Sequence, residues 1–509
     1  MKALFLSQSN SIDFFYDFQK NSKIFDEVAY VATDKEYYKK FLNKNPNFES
    51  ENQNIFKDWE LNEKREKINH EYISHVENTY FSGYPSSSVH NMYASSFLSS
   101  AKIDRRYVGG LKSTYVQNYN EEFTEDELLE RMQISFKSIL NFIQKFKPDI
   151  IIGFICVTSI EYQAFHIAKE LRIKYLNLRP SRISNRFFAV SDIFDPPNEI
   201  VEDFKNISDD LNFKESTRIL NSLKNNFSYE GVVESKKSNK LQDYFKFSGI
   251  NARFMQRESI LSKSFKYLKN ILLKNYLFTI YKWRITGKFY SFMSYRYFKN
   301  QRNIHLKKYV LFPLHKEPEV QLLLHGAKYQ DQYDFIANVA SSLPEDTQLV
   351  VKEHPMATGY RPISYYKKIS KLNNVSVVGP FEDLSLILKD ADALITIAGT
   401  SAFEAMIKKV PVIHFGDLPF EIVKNSMIVK FKDYKELKEK FSESLKNYKY
   451  EENKLIEYIA VCLKHTIPLD FYSLFLKKAE NTLNKENENR LKKFQLETLE
   501  NYIINKFNL

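Results

Sequence analysis

Residues 390–416 read DADALITIAGTSAFEAMIKKVPVIHFG. Residues 393–397 form a short apolar run bounded by polar ones, the pattern of a buried strand. Residues 400–408 carry apolar positions at helical spacing, and 411–414 is a second apolar run. Strand, helix and strand with short joints is the βαβ unit of a parallel sheet. The junction is specific. Gly399 lets a backbone approach a ligand closely, and Thr400 or Ser401 can cap the helix that follows. Free N–H groups and the helix dipole then favour an anion there. Glu404 has two readings, a capping-box partner of Ser401 or a hydrogen-bond partner of a ribose.

The alternation extends outward over residues 308–431. Strands are expected at 308–312, 320–325, 348–353 and 374–378, with helices at 331–342, 362–371 and 383–390. Residues 1–198 show the same grammar. Strands are expected at 2–7, 27–32, 149–154 and 174–178, and helices at 126–146 and 159–171, with a less regular insertion at 48–120. The fold class is therefore α/β, with two Rossmann-like lobes. A helical connecting segment is expected at 199–307 and helices at 432–509.

The remaining candidates sit near strand ends. In parallel sheets ligands bind beyond the carboxyl ends of strands. LVVKEHP (349–355) places His354 there, before Pro355, where an imidazole can donate to a phosphate or a nucleobase. A loop histidine with a capping role is the competing reading. FPLHKEPE (312–319) places His315 and Glu319 on the same side as His354. RPSRISNRF (179–187) reads as Arg179, Arg182 and Arg186 following a strand, an anion- or acceptor-binding set. Glu161, early in the 159–171 helix, is either a reactive carboxylate or simply favourable N-terminal charge.

Bulk properties set limits. The chain has 509 residues, more than one core usually supports. Hydrophobic residues make up 43% and charged ones 27%, as in soluble globular proteins. The N-terminus is too short in apolar residues for a signal peptide and reads as a first strand. Cys156 and Cys462 form no metal-spacing motif, which suits a reduced, cytoplasmic setting. No Walker A or GxGxxG sequence, histidine–carboxylate metal cluster or GxSxG elbow occurs, so no cofactor and no metal are expected. The net charge of +11 is concentrated. No Asp or Glu lies between Glu258 and Glu317, where Lys and Arg alternate with aromatic residues. This stretch predicts peripheral association with an anionic inner membrane; aromatic core packing between helices is the alternative, and nucleic acid is not expected.

Taken together, FPLHKEPE, LPEDTQLVVKEHP (343–355), GYRPISYY (359–366) and the 390–416 run resemble the capsule polysaccharide biosynthesis family, which includes bacterial Kdo transferases. The similarity to bacterial sialyl- and polysialyltransferases is more distant. The resemblance covers about 308–416 and, more weakly, 149–192. It implies a GT-B fold and a glycosyltransferase of surface-polysaccharide synthesis. The implied donor is a nucleotide-sugar, often a CMP-linked acidic sugar, and the acceptor a glycan or glycolipid. By position it matches His354 and Pro355 to the motif that holds the donor nucleotide, Thr400 and Ser401 to the hydroxyl residues at the phosphate-side helix start, and Glu404 to that helix's acidic residue; His315, Lys352 and Gly399, read from their strand-end places, complete the donor-binding set. The acidic catalytic candidates are Glu161 and Asp192. A glycerophosphotransferase, a nucleotide-sugar epimerase and a non-catalytic assembly subunit remain alternatives on the same fold.

Overall fold

Short apolar runs become buried parallel strands, and their flanking amphipathic segments become the helices that cover them. The computed structural model describes residues 1–81, 97–108, 123–208, 211–228, 241–246, 276–299, 308–317, 319–423, 427–476 and 483–508. The strands are β1 (Lys2–Ser7), β2 (Glu27–Ala32), β3 (Asn54–Lys57), β4 (Ile150–Phe154), β5 (Lys174–Pro180), β6 (Arg186–Val190), β7 (Tyr309–Pro313), β8 (Gln348–Lys352), β9 (Val375–Val378), β10 (Ala393–Thr396), β11 (Val412–His414), β12 (Ile428–Lys430) and β13 (Thr466–Pro468). They form two sheets, one in each of two compact units. The first unit comprises residues 1–104, 123–232 and 452–509, and the second 105–122 and 233–451. These limits differ from the expected boundaries at 198/199 and 431/432, because the last 58 residues, 452–509, return to the first unit.

The first unit carries the sheet β13-β6-β5-β4-β1-β2-β3. Strands β1 to β5 are parallel, while β6 and β13 are antiparallel additions. One face is an aromatic core. Phe5, Phe14, Phe15 and Phe18 meet Phe154 and Phe471, and the C-terminal helix Lys485–Phe507 adds Leu496, Leu499 and Ile503. Phe154 and Phe471 stack with centroids 4.0 Å apart. The high Phe content thus has a packing role here; burying large rings and their offset contacts stabilises the layer. The other face is covered by the helices Glu125–Phe146 and Ser159–Glu170. Each starts with a capping box, Thr124 with Glu127 and Thr158 with Glu161.

The second unit carries the all-parallel sheet β12-β11-β10-β7-β8-β9. In chain order this is 3-2-1-4-5-6, the dinucleotide-fold arrangement, in which the strand order reverses between β7 and β10. Both expected Rossmann-like lobes are therefore present. The strand expected at 320–325 is instead the helix Val320–Leu323, with Glu319 accepting from the Leu322 and Leu323 amides. An apolar run this short has no period that separates strand from helix, and leucine favours the helix.

The segment expected to be helical at 199–307 contains the helices Asn198–Lys205, Phe213–Asn225, Leu241–Lys246 and Tyr276–Lys299. Much of the basic stretch, including Lys263, Lys266, Lys269 and Lys274, lies outside the described residues. Among the described residues no helix is long and apolar enough to cross a membrane.

Candidate functional site

The loops leaving β7 and β10 part at the reversal of strand order in the second unit. This is the position at which open α/β sheets bind ligands. His315 follows β7, and Gly399 follows β10. The Gly399 amide donates to Thr396 Oγ1 at 3.0 Å, and that hydroxyl lies 3.5 Å from His315 Nε2. A Cβ on Gly399 would stand 2.6 Å from Thr396 Oγ1 and 3.2 Å from His315 Cε1. Glycine thus fits the tight turn here, first against Thr396 of its own strand and then against the His315 ring.

His354 follows the adjacent strand β8. Its Nδ1 accepts from the Met356 amide at 3.1 Å, capping the short 3-10 turn Pro355–Ala357. The capping role weighed for it is real, and it has a chemical consequence. With Nδ1 as acceptor, the neutral ring carries its proton on Nε2 and presents a donor. Burial, together with Lys316, Lys352 and Arg361, lowers the His354 pKa to about 3. Burial and Arg361 lower that of His315 to about 3 as well. Both rings are neutral hydrogen-bonding groups at ordinary pH.

A buried ionic cluster holds the two histidine loops. Arg361 is 1% exposed. Its guanidinium pairs with Glu353, reaches Glu317 at 3.6 Å and donates to the His315 carbonyl. Glu353 in turn accepts from the His354 amide and from Tyr366 Oη at 2.6 Å. Gln332 donates to the His315 carbonyl at 3.0 Å and accepts from its amide at 2.6 Å. Sequence reasoning missed Glu353, Arg361, Tyr366 and Gln332 as parts of the site. The available signal was Glu353 at a buried strand end, which calls for a cation, with Arg361 close by in GYRPISYY.

Other predicted residues are committed to local structure. The Lys352 ammonium is buried on the carbonyls of Pro380 at 3.0 Å and Glu353 at 3.3 Å, and burial lowers its pKa to about 8. Glu404 accepts from Ser385 Oγ at 2.8 Å rather than reaching back to Ser401, and burial raises its pKa. Thr400 stands at the N-cap of the helix Ser401–Ile407 in helical conformation, without a side-chain cap bond. Thr400 and Ser401 are both half-buried.

In the first unit the three arginines do not share one loop. Arg179 lies in β5, Arg186 opens β6, and Arg182 sits in the turn between them with φ 67°. Arg179 donates to the carbonyls of Ile193 and Phe194 and pairs with Asp195 at 2.9 Å. Arg186 donates to Thr466 of β13 through Nε at 2.8 Å and Nη2 at 2.7 Å. These two bind the chain itself: Arg179 satisfies carbonyls of the loop after β6, and Arg186 ties β6 to the edge strand β13. Asp192 accepts from the Phe194 amide and from Asn198, so it too shapes a loop.

Glu161 is different. Its Oε2 accepts from the amides of Val157 and Thr158 and from the Thr158 hydroxyl, while its buried Oε1 has no hydrogen-bond partner. Burial raises its pKa to about 8 against the lowering effect of those bonds. A carboxyl in this state is largely protonated at neutral pH.

Comparison with known proteins agrees with the motif reading. Residues 253–437 match the family model described as capsule polysaccharide biosynthesis protein. This bears out the resemblance carried by FPLHKEPE, LPEDTQLVVKEHP, GYRPISYY and the 390–416 run, all of which lie inside the match. No curated protein matches. Among solved structures, a β-Kdo 2,7 transferase of Thermosulfurimonas dismutans is 12% identical, over 64% of this chain and 80% of its own, with a TM-score of 0.34. A UDP-GlcNAc 2-epimerase of Neisseria meningitidis is 13% identical over 90% and 94%, with a TM-score of 0.28. A glycosyltransferase of Rickettsia africae is 12% identical over 94% and 99%, with a TM-score of 0.27. Likenesses at this level leave the fold to be read from the two sheets themselves.

Proposed function

We propose that the chain is a glycosyltransferase of surface or capsular polysaccharide synthesis, and that its second unit holds a nucleotide-activated sugar. The observation that supports this most is the meeting of the His315 loop and the Gly399 turn at the strand-order reversal of an all-parallel sheet. His354 Nε2 donates to the nucleotide, and its ring stays neutral because burial disfavours the charged form. His315 contributes a second polar group, and the backbone N–H groups of Thr400 and Ser401 with their hydroxyls face the phosphate. Pro355 fixes the His354 loop by its locked φ. Lys352 and Glu404 set the electrostatics beneath the donor. A leaving nucleotide phosphate is stabilised by oriented donors of this kind with no metal required.

The acceptor, a glycan or glycolipid, falls to the first unit, with Arg182 the arginine in the turn of the β5–β6 hairpin. Glu161 is the catalytic candidate on that side. Removing a proton from an acceptor hydroxyl needs its carboxylate form, so kcat/KM rises with pH with a midpoint near the carboxyl's value of about 8. The donor we favour is a CMP-linked acidic sugar. Incubation of the full chain with CMP-, UDP- and CDP-linked sugars and glycan acceptors tests the reading. Acceptor-dependent release of one nucleotide is expected. Epimerised donor without transfer, or no turnover of any donor, contradicts it.

A further inference from the structure

The helix Tyr276–Lys299 contains no acidic side chain. Its described side chains divide between two faces. Ser291, Ser294 and Phe298 are buried, with the Phe298 ring 5.0 Å from that of Tyr366. On the opposite face Ile285 is 67% exposed, Phe289 57% and Phe292 38%. These positions are spaced four and three residues apart and so form one stripe. Lys288, Arg296 and Lys299 are exposed on the same side, and the Lys299 ammonium lies 5.6 Å from the Tyr295 ring centroid. Large apolar side chains contiguous with cations, and no acid among them, are what an interfacial helix presents.

We propose that this face docks on an anionic phospholipid bilayer. Ile285, Phe289 and Phe292 enter the boundary between headgroups and acyl chains. Lys288, Arg296 and Lys299 meet the lipid phosphates, whose charge complements theirs. Nucleic acid would use the cations and stack on the rings, but it has no use for an exposed isoleucine at the end of the stripe. The inference stands apart from the transferase reading, because these side chains are exposed on the helix face opposite Phe298, the residue that packs on Tyr366.

Co-sedimentation of the full chain with phosphatidylcholine vesicles, with and without phosphatidylglycerol, tests it. The wild type is expected to bind the anionic vesicles far better at low salt and to be released as salt rises. Lys288→Gln with Arg296→Gln should weaken partitioning by about five-fold for each charge removed. Phe289→Ser with Phe292→Ser should weaken it without loss of anionic preference. Both variants should keep the wild-type Tm, since the altered side chains are exposed. Equal binding to neutral and anionic vesicles overturns the proposal, as does full binding by both variants. So does a lipid-free oligomer that either variant dissociates, or tighter binding to a single-stranded oligonucleotide than to anionic vesicles.

Discussion

Arg361 illustrates how a buried side chain can hold the loops of a site in place. It is buried between Glu353 and Glu317 and braces both histidine loops. Arg361→Met keeps the volume but takes the buried cation from two carboxylates, which should cost about 3–5 kcal/mol of unfolding free energy. Denaturant unfolding reads this; a wild-type midpoint and slope would show that the cluster carries no such role. Glu161 makes a second prediction, on pH. Its folded value of about 8 lies above the ordinary 4.5, so its stabilising contribution is complete below 4.5 and is lost as pH rises through about 8. Glu161→Gln still accepts from Thr158 and never ionises. The Tm of the variant should therefore gain on the wild type as pH rises across that window. A constant difference would mean that the wild-type carboxyl ionises normally. His354 and His315 were legible as strand-end residues. Their neutral state was not, because it arises first from burial and, for both rings, from Arg361, which the strand-end pattern does not bring into the site.

At the scale of elements, the turn after β10 was the most legible feature and the β5–β6 hairpin the least. The sequence marks Gly399 as a point where a ligand can come close; in the structure its amide sits against Thr396 of its own strand end. Gly399→Ala should push the turn away from His315 and lower donor affinity more than ten-fold, measured by calorimetry against the wild type. Unchanged affinity would mean that the two loops give way freely. Arg179, Arg182 and Arg186 looked like one basic loop because a turn at 181–185 lacks the glycine that usually marks a hairpin. Residues with positive φ, Arg182 and Ser184, make that turn instead. The partner strand β13 lies about 280 residues later, beyond the reach of any local pattern. Glu404 shows the same limit. Its spacing suited a capping box, yet Ser385 on another helix claims it.

For the whole molecule, strand and helix alternation announced both sheets, and the order β12-β11-β10-β7-β8-β9 places the quoted 390–416 run at its centre. What alternation did not show was the return of residues 452–509 to the first unit, where Leu496, Leu499 and Ile503 complete the aromatic core. That helix looks merely charged in sequence, since few of its residues are buried. His354 is the residue through which the second unit is proposed to hold a nucleotide-sugar. A ligand that binds only the native state stabilises it by about 2.7 kcal/mol at a hundred times its Kd. Losing the His354 bond should cost about 1.5–3 kcal/mol of affinity. The direct measurement is the Tm of wild type and His354→Ala with CMP, UDP, CDP and their sugar conjugates. One nucleotide family should raise the wild-type Tm and barely move that of the variant, each read against its own ligand-free Tm, which the lost cap on Met356 lowers in the variant. No shift with any nucleotide, or an equal shift in both proteins, would contradict the account.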